Sequence, residues 1–577
     1  MRRVLRAAAR PALLALLVVV VLGFVLRVEN NGYGLPYVYN VDEGSHFTAR
    51  AVGMLDGDWD PHYFQNPSAF TYLANFALRL RFGHGNPFGS FRGVIDQFGS
   101  DPTVIYTATR TLAAILGILG IVAVFWAGRR LWSAAAGIAA AAIIAFAFLP
   151  VTYSRIAVTD VGTLAPVALA VVGALRAWDD GRRRWWLLAG VSTGVAVGFK
   201  YTAGLAALPL VVVAAGLLVR DRRAALRPVL FGGAIAAAGA LAAFFVTNPY
   251  FVIDFSDAHR QLSAQATTAG DFGKVGQNQT GARYYLGTLT WGLGWVAAVA
   301  ALAGAVIELR RDIVRGLALI AFPVALLVFL SLQARFFSRW LLPAYPVLAL
   351  LAGMALAEAA AALARLRFAR GATWAAPAAL TALIVVAVAQ PLAADARSGA
   401  VLGRTDTRGL ARDWLVANYP GALRVVIEPA VPARYYLRSG KRGAHRGKQF
   451  VRGFAKHQAE TRIQYPSLLK PALIDSYRRS GFCLVMTMSI IEGRALNAHL
   501  APALAYYDRL RRESKVIYHV SPYKPGTKTP KFDFDFSYNY YPSSFRRAGP
   551  EVTIYRLNNC RQRFGALPPG PLPGGTS

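Results

Sequence analysis

The chain reads as a multi-span α-helical membrane protein that ends in an extracytoplasmic α/β domain. Three observations predict this class. Of 577 residues, 55% are hydrophobic and the mean hydropathy is +0.37, too apolar for an ordinary soluble domain. Apolar runs recur at the length a helix needs to cross a bilayer. Arg clusters sit in the short connections between those runs, and beyond residue 394 the long runs stop.

Residues 11–27 form the first span, preceded by Arg2, Arg3, Arg6 and Arg10. No small-residue cleavage site follows cleanly and further spans come later, so this is an uncleaved helix with a cytoplasmic N-terminus rather than a signal peptide. Later spans fall at 105–128, 133–152, 160–177, 185–199, 202–219, 228–247, 285–308, 316–333, 341–363 and 373–393, eleven in all. The run 185–219 is short for two crossings, so it is expected to be a hairpin broken around Lys200. Alternating the spans places Arg129-Arg130, Arg182 to Arg184, Arg220/Arg222/Arg223, Arg310-Arg311 and Arg365/Arg367/Arg370 on one side. That side is the cytoplasm by the positive-inside rule. Much of the +33 formal charge is then topology, and nucleic acid is not an expected partner.

The opposite side receives the loops 28–104 and 248–284 and everything after residue 394. The expected division is a transmembrane catalytic domain over 1–394, a soluble α/β domain over 395–567 and a Pro/Gly-rich disordered tail over 568–577. Short buried strands are expected around Leu423 to Glu428 and Cys483 to Met486, and a helix over Asp406 to Asn418. From residue 395 onward 30 Lys and Arg face 12 Asp and Glu, which suits either a basic face toward anionic headgroups or wall polymer, or a solvated basic surface. Cys483 and Cys560 are the only cysteines; a disulfide is permitted in this compartment, and two buried thiols are the alternative.

Charged residues inside such a chain are costly, so their placement carries information. The pair Asp42-Glu43 opens the first outer loop, with His46 beside it. Arg155 and Asp160 flank an outer turn, Lys200 sits at the outer tip of the broken hairpin, and Arg335 and Arg339 precede the tenth span. All share one face of the membrane. A carboxylate there can take a proton from an attacking hydroxyl, and Lys and Arg can hold a phosphate. The set fits group transfer from a lipid phosphate. Each residue has a plainer reading too: Asp42 and Asp160 as helix N-caps, His46 as a loop residue, Lys200 as a snorkelling anchor, Arg155 and Arg339 as headgroup anchors. A secondary transporter or lipid flippase is the alternative function, weakened because no internal repeat is visible and the polar set lies at a surface rather than the midplane.

These residues resemble a known family. Tyr39-Asn-Val-Asp-Glu-Gly-Ser-His-Phe is similar to the first-loop acidic motif of GT-C glycosyltransferases, most of all the protein O-mannosyltransferase and aminoarabinose transferase group. Asn66-Pro-Ser-Ala-Phe-Thr-Tyr-Leu, Ser154-Arg-Ile-Ala-Val-Thr-Asp, Gly198-Phe-Lys-Tyr-Thr-Ala, Arg339-Trp-Leu-Leu-Pro-Ala-Tyr-Pro and Thr405-Asp-Thr-Arg-Gly-Leu-Ala-Arg-Asp-Trp-Leu resemble its later motifs, in order, over nearly the whole chain. The exported domain departs from the pattern in not being visibly a carbohydrate-binding module. The resemblance implies a polyprenyl-phosphate sugar donor, an inverting transfer, and a protein, glycolipid or wall glycan as acceptor. It implies Asp42 as general base, Glu43 as a second catalytic acid that orients Asp42 or the acceptor, Asp160 in positioning, and Lys200 and Arg339 on the donor phosphate. Arg155, His46 and Tyr345 would complete the substrate-binding set. No cofactor is required on this reading, although His46 with the acids could hold a divalent cation.

Overall fold

The computed structural model describes residues 2–40, 42–366, 372–419, 424–429, 438–439, 443–444, 446–448, 464–537 and 540–563. The expected tail over 568–577 lies outside them.

Each of the eleven expected apolar segments is helical. Among the described residues nine helical stretches are long and apolar enough to cross a membrane, and a tenth is the pair Ala134–Phe146 and Phe148–Ser154, bent by 56°. Pro150 lies just past that bend and has no N–H to return to the carbonyl of Phe146, so the helix restarts there. The eleventh segment, Arg183–Phe199, has only 17 residues. It is held by close packing instead of length. Gly190, Gly194 and Gly198 form one stripe, and a Cβ on the first two would come within 2.0 and 2.2 Å of the carbonyl oxygens of Ala236 and Ala240 on helix Arg223–Thr247. Small residues at this spacing let two helices approach within backbone contact. The expected break follows directly: Lys200 is extended (φ −156°, ψ 121°) and a 3₁₀ turn, Tyr201–Ala207, leads into helix Leu208–Asp221.

The last membrane helix runs Ala375–Leu402, past the boundary expected at 394. The C-terminal domain then begins with helix Thr407–Asn418, whose first turn is capped by the Asp406 carboxylate accepting from Arg408 N. Its sheet contains β1 (Arg424–Ile427), β4 (Arg446–Lys448), β5 (Leu484–Met488), β6 (Ser514–Val520) and β7 (Val552–Leu557) in the order β4-β1-β5-β7-β6; a separate short ribbon pairs β2 (Arg438–Ser439) with β3 (Gly443–Ala444). β4, β1 and β5 are parallel, and β7 is antiparallel to β5 and β6. Cys483 and Cys560 are joined, tying the chain after β7 to the entry of β5.

The helices that end at Val28, Ser154, Phe199, Thr247, Ser331 and Leu402 all deliver their following loops to one end of the bundle. That end holds the site, and the C-terminal domain sits on it. Tyr284 Oη donates to Asp535 (2.6 Å), Arg397 Nε to the Tyr541 carbonyl (2.9 Å), and Phe534 packs on Phe337 with ring centroids 6.1 Å apart.

Candidate active site

The first outer loop enters its helix through Asn40, not Asp42. The Asn40 Oδ1 accepts from the backbone N–H of Asp42 and Glu43 (3.1 and 3.2 Å), so Asp42 is not used as a cap and its carboxylate is left for other work. Residues Glu43–Phe47 then form a π-turn, a widened helix that recurs at functional sites.

The two acids of the pair separate here. Asp42 opens into a cavity of about 560 Å³. Its Oδ2 meets Arg339 Nη2 at 2.5 Å, and the Arg339 Nε lies 3.8 Å from Asp160 Oδ2, so one guanidinium bridges both acids. Asp160 is buried and paired with Lys200 Nζ. It is not the helix cap that its position also allowed, because no side-chain cap bond forms at that turn. His46 Nε2 is 3.7 Å from Asp42 Oδ1, and the ring stacks on Tyr63 with centroids 4.8 Å apart. Burial pushes the His46 pKa down; Asp42 opposes this, and Arg339 and Arg50 add to it. Five sequence-derived residues therefore wall or underlie one cavity with His46: Asp42, Asp160, Lys200, Arg335 and Arg339.

Glu43 is a correction. Expected to orient Asp42, it is fully buried and turned the other way. Arg110 grips it with two bonds (Nε to Oε1 2.6 Å, Nη2 to Oε2 2.8 Å), and Oε1 also accepts from Ala157 N at 2.9 Å. The remaining Arg110 nitrogen donates to the carbonyls of Asn31 and Tyr33. This pair ties together the loop 31–33, helix Thr103–Leu131 and the turn carrying Asp160. Arg155 is a second correction. Its Nε donates to the Leu26 carbonyl at 2.7 Å and its Nη2 faces Glu29 at 3.6 Å, because the open C-terminal end of the first helix attracts a cation. It does not line the cavity. Tyr345 is a third. It starts helix Tyr345–Leu363 on the inward face, fully buried near Gly292 and Leu149.

Lys274 was not singled out by sequence, although it is the one lysine in the loop 248–284. It lines the cavity beside Arg335 and Arg339. Burial, then Arg335 and Arg494, push its pKa down to about 8 against the opposing charge of Asp42. Its loop is clasped by Gln464 of the C-terminal domain, which accepts from Val275 N and donates to the Gly273 carbonyl, both at 3.0 Å. Among the described residues no three His, Cys, Asp or Glu side chains are grouped to hold a metal ion.

Residues 104–249 match the family described as dolichyl-phosphate-mannose-protein mannosyltransferase. No curated protein sequence matches significantly. ArnT from Cupriavidus metallidurans in the apo state is 15% identical with a TM-score of 0.52, the match covering 95% of this chain and 98% of that one. The same protein bound to undecaprenyl phosphate gives 15% identity, a TM-score of 0.51, and coverage of 96% and 99%. The Archaeoglobus fulgidus oligosaccharyltransferase AglB, in complex with an inhibitory peptide and a dolichol-phosphate, gives 15% identity, a TM-score of 0.51, and coverage of 91% and 74%. At these identities the likeness is one of fold. It is the GT-C fold, as the sequence resemblance implies.

Proposed function

We propose that the chain is an integral-membrane glycosyltransferase that moves a hexosyl or pentosyl group from a polyprenyl-phosphate donor to an acceptor hydroxyl outside the cytoplasm, with inversion. The observation that carries this reading is Asp42 facing an open cavity while Arg339 bridges it to the Asp160–Lys200 pair. While the pair holds, the Asp42 Oδ2 is occupied by Arg339. An arriving phosphate competes for Arg339 and releases Asp42 to act.

Asp42 then takes the acceptor hydroxyl proton as the acceptor oxygen bonds to the anomeric carbon. The bond from that carbon to the phosphate oxygen breaks, and the lipid leaves as a phosphate monoester with one more negative charge. Arg339, Lys274 and Arg335 line the cavity where that charge develops, with Lys200 fixing Asp160 beneath them. Cations of the chain itself supply the charge stabilisation, so turnover is expected to survive EDTA. The fold neighbours bound to undecaprenyl phosphate and dolichol-phosphate support a lipid-phosphate donor. The basic short connections and the joined cysteines support a cytoplasmic N-terminus and an exported C-terminal domain in the cell membrane. No observation among the described residues favours the transporter or flippase.

The test is release of polyprenyl phosphate from a panel of polyprenyl-phosphate sugars by the purified protein, with membrane extract as acceptor source. Wild type turns over one donor; Asp42→Asn binds that donor and does not turn it over. Equal turnover by both would remove Asp42 from the chemistry.

A further inference from the structure

A second cavity, about 140 Å³, lies between the loop that leads into the Asp42 helix and the exported domain. It shares no lining residue with the catalytic cavity. Three independent features say what it takes.

The first is its place in the sheet. The cleft opens beyond the carboxyl end of β5 and the start of its antiparallel neighbour β7, so its floor is set by two paired strands at the centre of the sheet. Ser489, directly after β5, lines the cavity and is braced there: its N–H donates to the Glu551 carbonyl (2.9 Å), and Glu551 N–H donates to Ser489 Oγ (3.0 Å).

The second is its chemistry. Tyr523 offers its partly exposed ring to the cleft, backed by Tyr541 and Phe545, which are nearly buried; the Tyr523 and Tyr541 rings are centred 5.0 and 5.3 Å from Phe545. The charged lining side chains are Arg408, Lys531, Asp533 and Glu551, two of each sign. In a chain of charge +33 a neutral cleft stands out. The catalytic cavity, by contrast, is lined by three cations, Lys274, Arg335 and Arg339, against Asp42 and Asp160. Aromatic rings with hydroxyl and carboxylate edges, and no charge surplus, match a ligand with C–H faces and many hydroxyls.

The third is a connection. Asn40 lines this cleft, and the same side chain caps the helix that carries Asp42. Whatever fills the cleft touches the residue that sets the direction of the base.

We propose that the cleft binds a neutral carbohydrate: the part of a sugar-bearing acceptor that lies beyond the hydroxyl being glycosylated. This rests on the transferase reading for its role and on the cleft alone for its ligand.

The experiment is calorimetric titration of the full-length protein in detergent with neutral trisaccharides of mannose, glucose and galactose, and with trigalacturonate as the anionic counterpart. At least one neutral trisaccharide is expected to bind, with trigalacturonate at least tenfold weaker. Tyr523→Ala should weaken binding tenfold or more, and Lys531→Ala, an exposed position that leaves the fold intact, about threefold. Asp42→Asn should leave saccharide binding unchanged. Binding that is indifferent to both cleft variants, a preference for trigalacturonate, or no binding by any neutral trisaccharide would each overturn the proposal. Donor turnover is read separately. Turnover without saccharide binding removes the cleft alone, whereas saccharide binding without turnover removes the transferase reading and the acceptor role and leaves a carbohydrate site.

Discussion

Glu43 and Asp42 are neighbours in sequence and each is paired with an arginine at close range, yet the two pairs do different things. The Glu43–Arg110 side chains are 0% and 2% exposed, and both Glu43 oxygens are occupied. The Asp42–Arg339 side chains are 26% and 13% exposed, and Arg339 is shared with a second acid. A buried pair with both carboxylate oxygens engaged fixes structure, and breaking it strands a charge. A pair at the wall of a cavity, with one partner divided between two acids, can be opened by a competing anion. Chemical identity does not separate lock from machinery; access and unsatisfied valence do.

The contrast breaks first at Asp42. Asp42→Asn should lower kcat by about 10²–10⁴-fold, the usual worth of a general base, with an unchanged thermal midpoint. Glu43→Gln should do the reverse, costing ~3–5 kcal/mol of stability by leaving the Arg110 charge buried without its counter-charge. Thermal unfolding in detergent reads the second and single-turnover donor release the first; a stable, inactive Glu43→Gln would erase the distinction. Lys274 sharpens it further. Its pKa near 8 keeps it charged at neutral pH, and the charge is lost as pH rises through that value. Donor KM should rise by about tenfold above pH 8, the worth of one charged hydrogen bond, and Lys274→Arg, which does not titrate there, should flatten the profile. A wild-type KM that is level from pH 7 to 9.5 would remove Lys274 from donor binding. The smallest effect is expected at Tyr345, whose buried hydroxyl has no hydrogen-bond partner among the described residues. Tyr345→Phe should leave turnover within twofold and stability unchanged or higher by ~1 kcal/mol; a marked rise in donor KM would return Tyr345 to the substrate.

The membrane half was legible because bilayer length imposes a pattern that few other constraints imitate. Asp42, Asp160, Lys200 and Arg339 were legible for a related reason: each interrupts an apolar pattern near a span end, and the alternation of spans puts those ends together. Glu43, Arg155 and Tyr345 share the same local signals. What sets them apart is the direction each side chain takes from its turn, which depends on partners such as Arg110 and the Leu26 carbonyl that are distant in sequence. Lys274 lies in a loop with no periodicity, brought to the cavity by contacts such as Gln277 Nε2 to the Phe336 carbonyl. The expected boundary at 394 fell short because the last span continues as a polar helical stalk to Leu402 without a change in secondary structure.

The Gln464 clasp on Gly273 and Val275 bears on any attempt to recombine such proteins. A membrane half fitted with a foreign outer domain would need a carboxamide delivered to the same spot, reading one carbonyl and one amide of a loop it did not evolve beside. A chimera lacking it would be expected to reach the membrane and embed, yet present its lysine from a loop held mainly from the membrane side, as by Gln277 on the Phe336 carbonyl. Interchangeability of these halves is therefore a question of a few amide side chains' reach, Gln464 and Asn497 among them, as much as of matching surfaces.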